Sequence, residues 1–110
     1  MNDNQKIKAP LECETKDDVR VEIDRIDRAL VSLLSERWGY VDRISQLKSS
    51  PEEATVPWRI QQVVDKVRAI AEENKLPPEL AEDIWRRLIE WGIKYEEEKL
   101  RANDEADQAE

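Results

Sequence analysis

Apolar residues recur along the first half of the chain in steps of four and three: Val19, Ile23, Ile26, Leu30, Leu33, then Val41 and Ile44. Those steps keep one face of a helix. No proline interrupts before Pro51, and Gly39 is the one glycine of the stretch. The pattern predicts a helix over residues 17–48. Thr15 stands where a cap belongs, with Asp18 three positions on and Asp17 beside it, so hydroxyl and carboxylates meet the bare amides and positive dipole of a helix start. At 1.5 Å per residue this helix is about 48 Å long. A compact domain of this size has a radius of gyration of only about 13 Å. Two further helices cannot cover such a length, so the pattern predicts a partner chain.

The rest of the chain is helical by the same rule. Residues 1–14 are polar, carry Pro10 and read as an irregular arm. Residues 49–57, with Ser49, Ser50, Pro51 and Pro57, read as a loop, and Pro57 suits the first turn of a second helix. Ile60, Val63, Val64, Val67, Ile70 and Ala71 form its stripe, and Asn74 is a natural stop. After Pro77-Pro78 a third stripe runs through Leu80, Ile84, Trp85, Leu88, Ile89, Trp91 and Ile93 and fades near Leu100. No repeat and no strand-like alternation appears. The expectation is an all-α chain of three helices, with one domain over 15–101 and a disordered acidic tail over 102–110.

Composition narrows the chemistry. The 110 residues hold no histidine, one cysteine and two glycines. That excludes a Ser-His-Asp triad, a histidine-ligated zinc, an internal disulfide and a glycine-rich phosphate loop. Neither a metal nor a cofactor is expected. The net charge is -8, of which residues 96–110, with seven acids and two bases, supply -5. No basic stripe exists to neutralise phosphates, so nucleic acid is not an expected partner. No stretch has the length of a membrane span, and Met1–Pro10 lacks the apolar run of a leader, so the expected location is cytoplasmic. Cys13, without a positioned base, reads as an unreactive thiol. The four tryptophans read as core or dimer anchors, with Trp58 placed to wall a site.

Charges stand where the pattern calls for apolar residues. Continued past Leu33, the first seam lands on Arg37 and later on Lys48, eleven residues apart and so on one helix face. Two accounts fit. Long stems run from the seam's edge to water, or the two cations line a pocket for an anion. Glu96 repeats the anomaly, seven residues from Ile89 and eleven from Trp85 on the same side of the third helix, although the run Glu96-Glu97-Glu98 also reads as a solvated stretch at a fraying helix end. Arg59 opens the second helix, where the dipole disfavours a cation. Arg20 lies off the face of Lys48 and reaches a neighbouring protomer's site more readily than its own.

At these residues the chain resembles the all-helical chorismate mutases. The likeness rests on the run Val19 to Asp27, on Leu33-Leu34-Ser35-Glu36-Arg37, on Lys48 after eleven residues and on Arg59 after eleven more. The Lys48–Arg59 interval, Cys13, Ala71-Glu72-Glu73-Asn74 and the Trp91–Glu96 segment are most similar to the isochorismate-pyruvate lyase branch of that family, which serves salicylate biosynthesis. The resemblance covers residues 10–100 and implies an intertwined homodimer whose two sites each draw on both protomers. It implies that Arg37, Lys48 and Arg59 of one chain, with Arg20 of the other, bind a small dianion, chorismate or isochorismate, and that the 49–57 loop is a lid. It implies a pericyclic reaction without nucleophile, metal or cofactor.

Two departures matter. The family usually has glutamine at position 96, donating a hydrogen bond to the substrate's ether oxygen. Glu96 donates only when protonated, so activity is expected to improve toward acid pH. Ile60 replaces the glutamate of typical mutases, and Ile93 their small polar residue; both match the lyase. Mutase, lyase, a related mutase acting on an amino analogue, and a helical dimer that keeps the scaffold without the chemistry all stay open.

Overall fold

The computed structural model describes residues 6–48 and 57–108. A 3-10 turn over Pro10–Glu12 precedes three helices: α1 (Lys16–Leu47), α2 (Pro57–Glu73) and α3 (Pro78–Gln108). No strand occurs among the described residues, and none of their helices is long and apolar enough to cross a membrane. The chain divides into two units, residues up to Arg37 and residues from Trp38 onward. The loop expected over 49–57 falls, apart from Pro57, outside the described residues.

In the first unit the start of α1 is capped as the sequence predicts. The Asp18 amide donates to the Thr15 hydroxyl (3.0 Å), and the Asp18 carboxylate accepts from the amides of Thr15 and Glu14. The segment before it is more ordered than an irregular arm. Its Lys8 amide donates to Glu22 (3.0 Å), and the Lys8 ammonium pairs with Asp18 (3.4 Å). The amides do most of this work on the carboxyls: the Glu14 amide holds Asp18, and the Lys8 amide holds Glu22, below the ordinary carboxylate range. Along the helix the predicted stripe is bare. Leu30 is 50% and Leu33 62% exposed, and Val19, Ile23 and Ile26 are exposed with them.

The second unit has a core of Val64 and Ala71 from α2 and Ala81 and Leu100 from α3. Burying a valine side chain is worth roughly 1.5–3 kcal/mol. The alanines matter differently: where ridges carry only a methyl group, two helices approach closely. The α2 stripe is on its expected face, although Ile70 stays exposed. Beyond Glu73, Lys75 takes a left-handed φ of 59°, and the Leu76 amide turns back to the Ala71 carbonyl (2.9 Å). Asn74 thus marks the stop as expected. The third helix does not fade near Leu100. It continues to Gln108, through most of the tail expected to be disordered. The residues after Gly92 include no glycine or proline and are rich in Glu, Ala, Lys and Arg, so nothing local ends the helix.

Glu82 of α3 ties this unit together. It accepts from Arg86 one turn on (2.6 Å) and from Arg68 of α2 (2.7 Å), and those two bonds, Arg86 first, hold its carboxyl below the ordinary value. A depressed carboxyl in the folded state means that the unfolded chain takes up protons first on acidification. The stability contributed by Glu82, Glu22 and Asp18 is therefore complete above the ordinary glutamate value of 4.5 and is lost as pH falls through the depressed values. Calorimetric scans from pH 6 to pH 3 are expected to show the melting temperature falling, and Glu82→Gln is expected to flatten that acid slope. An identical slope in the variant contradicts the assignment.

Candidate active site

Lys48 directly follows the last residue of α1, and Glu96 lies four residues past Gly92 on α3. The Lys48 ammonium donates to both oxygens of Glu96, at 3.2 and 3.4 Å. Glu96 is 5% exposed, the most buried charged residue of the described chain. The Lys48 side chain keeps 20% of its surface. Both pattern violations therefore meet. Of the two accounts given to Lys48, snorkelling to water does not apply, since its ammonium turns inward onto a carboxylate. A burial this deep requires such pairing, because an isolated charge out of water costs far more than the pair.

Sequence allows the approach at two points. Gly92 is buried, and a Cβ built there would lie 3.5 Å from the Val41 side chain, so α1 and α3 come close at Val41 and Gly92. One turn of α1 beyond this, Ser45 is buried and donates its hydroxyl to the Asp42 carbonyl (2.6 Å), a small polar group satisfied inside its own helix.

Beside the pair lies a network that the pattern did not reveal. The Tyr95 hydroxyl donates to Asp42 Oδ1 (2.7 Å), and so does the Lys99 ammonium (2.9 Å). Lys99 also donates to the Tyr95 oxygen (3.2 Å), and Gln46 donates to Asp42 Oδ2 (3.3 Å). The Trp38 ring packs against Tyr95 with centroids 4.8 Å apart. The Tyr95 hydrogen bond and then that of Lys99 hold the Asp42 carboxyl below its ordinary value, and the bond to Asp42 holds Lys99 above its own. The signal in the sequence was slight: Lys99 follows Tyr95 by one turn, and Asp42 adjoins the seam residue Val41.

The other expected residues are placed as follows. Ile93, one turn before Glu96 on α3, is half-buried, as is Ile60 on α2. Arg59 is exposed, donates to Gln62 of its own helix and makes no bond to Lys48 or Glu96. Trp58 and Trp91 are largely exposed, so they do not serve as core anchors in this chain. In the first unit Arg37 is half-buried, and Arg20 is exposed and pairs with Asp17 at 3.4 Å.

Residues 19–97 match the family described as chorismate mutase type II. Among curated proteins, the chain is 33% identical over 87 residues to an isochorismate pyruvate lyase of Pseudomonas aeruginosa, spanning 79% of this chain and 86% of that protein. It is also 33% identical over 82 residues to a T-protein of Enterobacter agglomerans, spanning 74% of this chain but 22% of that longer protein.

Proposed function

The chain belongs to the chorismate mutase type II family, and we propose that it rearranges chorismate to prephenate in a homodimer, with residues 15–101 as the catalytic domain. The observation that carries this is Lys48, an ammonium held at the edge of a buried carboxylate where α1 and α3 meet. The rearrangement needs a flexible dianion held in its reactive shape, and positive charge where the ether oxygen becomes negative as its bond breaks. Arg37 and Arg59, with Arg20 from the second protomer, grip the two carboxylates, because a planar guanidinium matches a carboxylate's two oxygens. Lys48, a point charge, faces the ether oxygen. Ile60 and Ile93 shape the ring's end of the site. No step calls for a metal or a cofactor. The bare α1 stripe supports the homodimer: a helix with this much exposed apolar surface has its natural cover in a second copy. The proposal places the enzyme in the cytoplasm; none of the described helices is long and apolar enough to cross a membrane.

A second reading has its own support. Ile60 and Ile93 are apolar where an isochorismate-pyruvate lyase is apolar, and one relative carries that name over most of both chains. The same charges would serve elimination of pyruvate from isochorismate, giving salicylate. Two incubations separate the readings: loss of chorismate absorbance supports the mutase, and salicylate fluorescence from isochorismate supports the lyase. Silence in both overturns each and leaves a helical dimer without chemistry.

Glu96 bears on either reaction. As the structure stands, its two oxygens occupy the Lys48 ammonium that the ether oxygen needs. Glu96→Gln replaces a competing acceptor by a side chain able to donate an N–H to that oxygen. The variant is expected to raise kcat/KM at neutral pH about tenfold, one charged hydrogen bond's worth. Unchanged neutral activity sinks this role.

A further inference from the structure

We propose that Asp42, clasped by Tyr95 and Lys99, is a positioning residue: it sets the register of α3 against α1 and thereby aims Glu96 at Lys48. The inference rests on the proposed function for its kinetic consequence and on the structure alone for its mechanics. The two helices meet closely at Val41 and Gly92. A contact between a glycine and a valine is smooth, and an apolar contact of that kind fixes separation without fixing rotation or sliding. Asp42 is the next residue on α1, and it supplies what the contact lacks. Its Oδ1 accepts two bonds from α3, from residues one turn apart, and Trp38 holds the Tyr95 ring from one turn earlier on α1. Three directional contacts on two turns of each helix leave little freedom to turn or slide.

Tyr95 immediately precedes Glu96, and Lys99 follows it by three. Glu96 is thus bracketed by the two residues that grip α1, while Lys48 stands six residues beyond Asp42 on the other side of the joint. A slide of one residue along α3 is about 1.5 Å, enough to break a bond of 3.2 Å from Lys48 to Glu96. Gln46 does not share this role, because its bond to Asp42 Oδ2 stays within α1. Asp42 does not touch Lys48 or Glu96 and acts only through the helix that carries Glu96.

The test uses the full chain. In the Glu96→Gln background, where position 96 donates instead of competing for Lys48, Asp42→Ala is expected to lower kcat roughly 10- to 100-fold, the scale of a displacement near 1 Å at a reacting centre, with KM changed by less than about threefold. Asp42→Asn, whose amide oxygen still accepts from Tyr95 and Lys99, is expected to recover most of that loss. Tyr95→Phe is expected to fall between them, and it keeps the ring against Trp38 should Asp42→Ala fold poorly. Glu82→Gln, which weakens α2–α3 at another place, is the control: it is expected to lower the melting temperature while kcat stays native. The proposal is overturned if Asp42→Ala leaves the kcat of its Glu96→Gln parent unchanged, or if its activity falls only in step with melting temperature along the same line as Glu82→Gln. An outcome independent of turnover comes from a double-mutant cycle on melting temperature. Tyr95→Phe and Glu96→Gln are expected to be non-additive although their side-chain bonds share no partner, because the first loosens the register on which the Lys48 bond depends. Additive shifts overturn the clamp. If the native chain turns over neither substrate, the proposed function fails, while the cycle still decides the positioning role.

Discussion

Lys48→Met is expected to lower kcat roughly 100- to 1,000-fold, the range seen when one preorganised group facing a developing oxyanion is removed. The argument is one of differential binding. In the proposed site the ground-state ether oxygen is nearly neutral, and Lys48 would gain little from facing it. As the carbon–oxygen bond breaks, charge collects there, and an ammonium already fixed nearby needs no reorganisation. The loss should therefore fall on kcat more than on KM, whereas Arg59→Ala, which in the proposed site removes contact only with a carboxylate present throughout, should raise KM more than it lowers kcat. Fold and function can be separated. Lys48→Met leaves Glu96, 5% exposed, without its cation, and stranding one partner of such a pair is strongly destabilising. Pairing Lys48→Met with Glu96→Gln removes both charges and should restore the melting temperature without restoring turnover. Full activity in the double variant would show that the ammonium is dispensable and would end the electrostatic reading.

How much of this was legible in the sequence follows from what periodicity can carry. A long amphipathic helix announces itself, and α1 came within one residue at each end of its expected span because Thr15 and Asp18 cap it as their chemistry requires. The Lys48–Glu96 pair was legible through its misfit: each charge sits in a register reserved for apolar residues, and the pattern marks both although it says nothing of their meeting. The small-residue core was not legible. Ala71 belonged to a stripe, but Ala81 and Gly92 carry no hydrophobic signal; they matter because they let helices approach. The Asp42 clamp was hidden for another reason. Its bonds span 53 and 57 residues, and no local pattern links an acid on one helix to a tyrosine and a lysine on another. The run of α3 to Gln108 was missed because charge was read as disorder, when a charged stretch of good helix formers attached to a packed helix simply continues it.

Mixing two inactive variants is expected to restore activity. Arg20→Ala and Lys48→Met each remove one contact that the proposed site needs, so each protein alone should be nearly inert. If each site takes Arg20 from one protomer and Lys48 from the other, a mixed dimer concentrates both lesions in one site and leaves its second site intact. Unfolded together and refolded at equal concentration, half of the dimers are mixed, and about a quarter of all sites should be native in composition, as a two-fold interface requires. Activity near a quarter of native from two parents with almost none is a large and unambiguous change. The physical basis is the bare stripe of α1. Val19, Ile23, Ile26, Leu30 and Leu33 are exposed in the single chain, and at about 25 cal/mol per Å² of apolar surface their burial is a strong drive to pair. Arg20 stands off that stripe, exposed and held only by Asp17 at 3.4 Å, a weak surface pair that a substrate carboxylate can displace. The outcome also separates two architectures. A site assembled within one chain gives no recovery on mixing, since each protomer then carries its own defect, and a monomeric enzyme behaves the same way. Recovery that rises with the refolding concentration and disappears when Leu30→Asp is added to both parents ties the shared site to the α1 face itself, because a charge there makes burial of the stripe unfavourable.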